Sequence, residues 1–197
     1  MFSRLTKRLS TTCVVLLLSA CASVTPVPEG AYTQAARTHL YDMQEWRLQG
    51  RLAIAAPKDS WSASIEWVHL PNGEKIRLSG PLGQGAVVIE LAGDAVKIDR
   101  GGGNVQTSNH PEQFISQQLG LLVPLKSLRF WAVGLPESGR DFQETSDGFV
   151  QGGWLIAYKE MQKTGVETMP HKMAVSDEHV KLKLIVDQWD LNGIKSN

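Results

Sequence analysis

From Trp46 onward, apolar side chains recur at every second position. Trp46, Leu48, Leu52 and Ile54 share one face, while Glu45, Arg47, Gln49 and Arg51 point the other way, which is the period of a half-buried strand. Gly50 interrupts the apolar side, and a glycine within a strand suits a bend or a bulge. Trp61, Ala63, Ile65 and Trp67 form the next apolar face, opposite Ser62, Ser64 and Glu66. Pro71-Asn72-Gly73 is a turn, after which Ile76 and Leu78 alternate with Lys75, Arg77 and Ser79. Gly80-Pro81-Leu82-Gly83 is a second turn. Val87, Ile89 and Leu91 follow, then Gly93-Asp94, then Val96 and Ile98, and Gly101-Gly102-Gly103-Asn104 closes the run. Strands separated by such turns predict an antiparallel meander. Strands and helices do not alternate, which argues against a parallel α/β sheet.

Helical spacing appears in three places. Tyr32, Ala36, Leu40 and Met43 predict a helix over 32–44. A second helix spans about Pro111 to Leu119, with Phe114, Ile115 and Leu119 on its apolar side. A third spans about Pro124 to Val133, with Leu125, Leu128, Trp131 and Ala132 apolar; Gly134 can cap it and Pro136 stops it. Strands resume at Phe142, Phe149, and Trp154, Ile156 and Tyr158. The last pair carries Met173 and Val175, then Val180, Leu182, Leu184 and Val186.

The N-terminus is of another kind. Arg4, Lys7 and Arg8 precede the apolar stretch Cys13-Val14-Val15-Leu16-Leu17-Leu18, and small residues lead to Cys21. This is the layout of a secretory signal, and its apolar segment is too short to span a bilayer. Leu18-Ser19-Ala20-Cys21 resembles the bacterial lipoprotein signal. The resemblance implies cleavage before Cys21, acylation of its sulfur and new amino group, and, with Ala22 next, sorting to the outer membrane. The expected organisation is a signal peptide over 1–20, an acylated cysteine and flexible tether over 21–30, and one domain over 31–197. Pro26 and Pro28 keep the tether out of a helix.

Composition narrows the function. Apolar residues make up 42% and charged residues 20%, with 20 basic against 20 acidic side chains; removing the signal leaves a slight acidic excess. Nothing in that balance attracts nucleic acid. Cys13 leaves with the signal, so the mature chain has no second cysteine to pair with Cys21. His39, His69, His110, His171 and His179 show no metal-ligand spacing, and no nucleophile elbow or phosphate-binding loop occurs. No cofactor or metal is expected. The unusual feature is six tryptophans: Trp46, Trp61, Trp67, Trp131, Trp154 and Trp189. They fit a packed core or an apolar cavity between sheet and helices, and periodicity does not separate the two.

Several segments resemble the LolB family, outer-membrane receptors of the Lol lipoprotein-sorting pathway. They are Trp46-Arg-Leu-Gln-Gly50-Arg-Leu-Ala-Ile54, Ser64-Ile-Glu-Trp67, Ile76-Arg-Leu-Ser-Gly-Pro81-Leu82-Gly83, and Leu119-Gly-Leu-Leu-Val-Pro124-Leu-Lys-Ser-Leu128-Arg129-Phe-Trp131-Ala-Val-Gly134-Leu135-Pro136. Trp154-Leu-Ile-Ala-Tyr158 and Lys181-Leu-Lys-Leu-Ile-Val-Asp-Gln-Trp189 complete the set. The Pro-Leu-x-Ser-Leu-Arg-x-Trp-x-x-Gly-Leu-Pro segment is the specific one. Gly80 departs from the family, which often carries asparagine there.

The resemblance implies a mainly β (α+β) fold: a strongly curved, incomplete antiparallel β-barrel with helices forming a lid over an apolar cavity. It implies a non-enzymatic, monomeric receptor at the periplasmic face of the outer membrane. Such a receptor takes acylated lipoproteins from the periplasmic carrier LolA and delivers them to outer-membrane lipid. The expected acyl-chain lining is Trp46, Leu48, Leu52, Ile54, Trp61, Ile65, Trp67, Ile76, Leu78, Val87, Ile89 and Leu91, with Phe114, Leu128 and Trp131 from the lid. Pro81, Leu82 and Gly83 match the family's membrane-insertion loop, and Cys21 is the expected lipid attachment. The competing readings are a structural lipoprotein with a filled core that binds protein or cell wall, and a lipid-modifying hydrolase, for which no nucleophile beside a base is visible.

Overall fold

The computed structural model describes residues 32–57, 60–80, 85–119 and 123–191. Cys21, the segments 1–20 and 21–30, and Pro81, Leu82 and Gly83 lie outside the described residues. The strands are β1 (Trp46–Ala55), β2 (Ser60–Leu70), β3 (Gly73–Ser79), β4 (Val87–Ala92), β5 (Ala95–Asp99), β6 (Val105–Ser108), β7 (Phe142–Thr145), β8 (Gly148–Gln151), β9 (Trp154–Thr164), β10 (Glu167–Ser176) and β11 (Lys181–Asp190). Helices α1 (Pro111–Leu119) and α2 (Leu125–Ala132) fall between β6 and β7.

Among the described residues these strands form one 11-stranded sheet in the order β6-β5-β4-β3-β2-β1-β11-β10-β9-β8-β7. Each strand runs antiparallel to its neighbours. The first and last strands meet in the middle, so the free edges are β6 and β7. The sheet curves but does not close, and the connection across its gap carries both helices. A lid over an open barrel follows from that topology.

Gly50 is where β1 bends. The β1–β11 register slips between Gln49 and Gly50, which face Gln188 and Val186, so Asp187 is the extra residue of a bulge. A Cβ at Gly50 would stand 2.0 Å from the Ile185 carbonyl oxygen, so the close approach of the two backbones requires glycine.

Two expectations change. The helix over 32–44 is a 3-10 helix limited to Ala35–Asp42, tied down through buried Arg37 and Leu40. The meander does not close at Asn104: β6 follows as an edge strand. Val105, Gln106 and Thr107 are all exposed, so no apolar face marked it.

The strand ends sort into two groups. The 3-10 helix enters β1 at Trp46, which stands opposite His69. The β2–β3 turn and the β9–β10 turn at Gly165-Val166 lie at that same end. Ala55, Ser60 and Lys181 lie at the other end, as do Ser79 and Val87, which flank the β3–β4 loop. Near the first end the concave face is packed with aromatics. Trp46 contacts Trp67 and Trp189 at centroid distances of 5.1 and 5.7 Å, and Trp189 Nε1 donates to the Pro170 carbonyl at 2.8 Å.

Candidate functional site: an apolar hollow under the lid

Above this aromatic floor the inward side chains do not fill the space. Leu52 and Ile54 of β1, Trp61, Ile65 and Trp67 of β2, Ile76 and Leu78 of β3, Ile89 of β4, and Leu182 and Leu184 of β11 face Ile115 of α1, with Val123, Leu125 and Leu128 at and on α2. They surround a cavity of about 60 Å³, room for a few water-sized spheres. Every lining residue is apolar, so nothing there holds a water in place. Trp61, Val123 and Leu125 are the half-buried members, and they mark where the hollow nears solvent.

The alternation places this lining. Ile65 faces Gly50 on one side and Leu78 on the other. Leu52 pairs with Leu184 and Ile54 with Leu182, which brings the chain's first and last strands into one wall.

Of the residues expected to line a cavity, Leu52, Ile54, Trp61, Ile65, Trp67, Ile76, Leu78, Ile89 and Leu128 border it. Trp46, Leu48, Val87, Leu91, Phe114 and Trp131 do not. Trp46 and Leu48 belong to the packed floor. Val87, Leu91 and Phe114 lie half-buried against the same core. Trp131 lies one turn beyond Leu128, toward the C-terminal end of α2, where it packs on Trp154 at 6.2 Å and donates from Nε1 to Gln151 Oε1 at 2.9 Å.

Polar groups ring the lid instead. Glu74 of β3 accepts from Trp67 Nε1 at 2.8 Å, lies 2.7 Å from His69 Nδ1, and stands 4.0 Å from Arg129 of α2. At the C-terminal end of α2, residues 131–136 are all buried. The Trp131 carbonyl accepts from Tyr158 Oη at 2.7 Å, that of Gly134 from Tyr32 Oη at 3.1 Å, and that of Pro136 from Tyr41 Oη at 2.8 Å. Arg37 donates to the carbonyls of Val133 and Thr168. Burial depresses the Arg37 guanidinium below its ordinary range and raises the Tyr158 phenol well above its own. Among the described residues no group of three or more His, Cys, Asp or Glu side chains could hold a metal ion.

A family model described as outer membrane lipoprotein LolB matches residues 44–189. The chain belongs to the LolB family. It is therefore an outer-membrane lipoprotein. An outer-membrane lipoprotein LolB of Chromohalobacter salexigens is 30% identical over 90% of this chain and 87% of the relative. The Stutzerimonas stutzeri LolB is 29% identical over 94% and 96%, and that of Pseudomonas aeruginosa 30% over 88% and 90%. Among solved structures, a LolA superfamily protein of Nitrosomonas europaea matches 78% of this chain and 88% of its own with a TM-score of 0.47 at 8% identity.

In this LolB-family chain the sequence reading missed Ile115, Val123, Leu125, Leu182 and Leu184 as lining. Each was visible as an apolar position. What joins them to the hollow is the pairing of β1 with β11 and the angle of the helices, and neither is written in a local period.

Proposed function

We propose that this protein receives acylated lipoproteins by enclosing their acyl chains between the sheet and α2, and releases them into the outer membrane. The observation that carries this reading is a wholly apolar hollow beneath a two-helix lid, in a chain of the LolB family. Three acyl chains hold roughly 45 methylenes, and exposing each to water costs about 0.8 kcal/mol, so free transit would cost on the order of 35 kcal/mol. Passage from one apolar enclosure to another avoids nearly all of that cost. The donor in this reading is a periplasmic carrier of the LolA kind, and the transfer needs no nucleotide. A cavity of about 60 Å³ cannot hold such a cargo, so the lid must move aside as the chains enter.

In the same reading the mature protein is held to the membrane by acylated Cys21 through the tether 21–30, and residues 31–197 form the binding domain. Pro81, Leu82 and Gly83, between β3 and β4, supply the loop that enters lipid. The test is photocrosslinking from probes at Ile65 and Leu78 during transfer of a lipoprotein, run on the full chain and on Cys21→Ser. Crosslinks to the acyl chains are expected from both positions and in both proteins, because the hollow forms from residues beyond the tether. Crosslinks at Lys183 and Arg77, on the outer face, with none at Ile65 or Leu78 would overturn the reading.

A further inference from the structure

The two ends of α2 are held differently. Its first turn has no acidic side chain and no side-chain cap, and among the described residues its one buried polar hold is Ser127, which donates to Glu137 at 2.6 Å and must let go when that end lifts. Leu125 is half-buried, and Lys126 makes a 3.6 Å pair with exposed Asp94. Such a pair contributes little. Its last turn and the following residues are buried, and their carbonyls are met by side chains from elsewhere. Tyr32, Arg37 and Tyr41 supply three of these contacts, and all three come from the segment at 32–42. Tyr32 is itself stacked on Tyr158 at 4.3 Å, and Arg37 reaches on to Thr168 of β10. A Cβ at Gly134 would stand 2.3 Å from Arg37 Nε, so the backbone and the guanidinium are in close contact there. The family match begins at residue 44, after this segment.

The geometry points to residues 32–42 as the clamp of the lid's hinge, with Arg37 as its positioning residue. The lid opens by lifting its Leu125 end while Trp131 to Pro136 stays fixed against the clamp. This assignment rests on the acyl-chain reading for its purpose, but its mechanics do not. The clamp also directly follows the tether in sequence, so the part of the domain nearest the anchor sets the stiffness of the lid.

Tyr32→Phe combined with Tyr41→Phe removes two hydroxyl contacts and keeps the ring packing. Arg37→Met removes the third contact. The tyrosine pair keeps the idea testable if buried Arg37 proves essential for folding. Hydrogen exchange in the full chain is expected to speed up at the amides of Leu128 to Leu135, roughly five-fold for each hydroxyl lost. Amides at Leu48 and Leu184 should not change. A fluorescent long-chain fatty acid should enter and leave faster by a similar factor, with its Kd nearly constant, because a looser hinge admits and releases alike. A purely structural role would instead speed exchange across the whole sheet. Unchanged exchange over Leu128 to Leu135, or an equal rise everywhere, overturns the clamp. The exchange arm needs no ligand, so it decides the clamp even where the parent takes up no fatty acid, an outcome that overturns the acyl-chain reading instead.

Discussion

Ile65→Phe separates a hollow from a filled core by the sign of its effect. Ile65 is 7% exposed, borders the hollow, and faces Gly50 across the β1–β2 ladder. Phenylalanine suits a strand and adds three carbons to the side chain. If those carbons enter empty apolar space, the gain is up to about 2.4 kcal/mol at ~0.8 kcal/mol per carbon. For a domain of this size that raises the melting midpoint by up to roughly 5–10 °C. If the space were already packed, the same carbons would cost about 1–3 kcal/mol through displaced rotamers, and the midpoint would fall. The ring also occupies the room an acyl chain needs. Uptake of a fluorescent fatty acid, measured by titration, should weaken at least about ten-fold, equivalent to roughly 1.4 kcal/mol. A stabilised protein that binds poorly is the expected outcome. A lower midpoint with unchanged uptake would refute the argument, because it would mean that Ile65 sits in a full core away from the cargo.

Other outcomes are expected elsewhere in the molecule. Leu82→Glu should leave folding and acceptance from the carrier unchanged and impair release, since one leucine in lipid gains at most about 1.5–3 kcal/mol; equal transfer into liposomes by variant and parent would count against it. Gly50→Val should be among the most damaging single changes, because its Cβ would stand 2.0 Å from the Ile185 carbonyl oxygen, and a loss below about 1 kcal/mol in urea melts would show that the bulge relaxes easily. Hydrogen bonds from Lys97 and then Lys75 hold the Glu90 carboxyl below its ordinary value of 4.5. The stability this adds is present above pH 4.5 and is lost as pH falls through the depressed value. The gap between parent and Glu90→Gln melting curves should therefore close in acid, and a gap that stays constant with pH would contradict it.

The strands were readable because each carries its own inside and outside. Leu52 and Ile54 declare a buried face without any knowledge of their partners. Edge strand β6 has no such face, so Val105 to Ser108 carried no strand signal. The hollow was harder. Leu182 and Leu184 look like any other alternating pair until β11 is laid against β1, a pairing between opposite ends of the chain. Trp131 shows the converse error: it lies on the apolar side of α2, yet the helix turns it toward Gln151 and Trp154 and gives the hollow Leu125 and Leu128 instead. The role of Arg37 was hidden for a different reason. A basic residue on a short helix reads as solvent-facing, and only the buried carbonyls of Val133 and Thr168 explain why it points inward.

The sorting of the strand ends has a bearing on how the molecule can stand at a membrane. The 3-10 helix enters β1 at the Trp46 end, whereas Ser79 and Val87, which flank the loop carrying Leu82, lie at the other. Strand β1, with 10 residues, is about 33 Å long. Residues 21–31 reach at most roughly 37 Å even when drawn fully straight. In the proposed function the anchor and the far loop must both meet the bilayer, so the reach of those residues limits how upright the domain can stand. On that proposed function, delivery then becomes a matter of posture as much as of affinity.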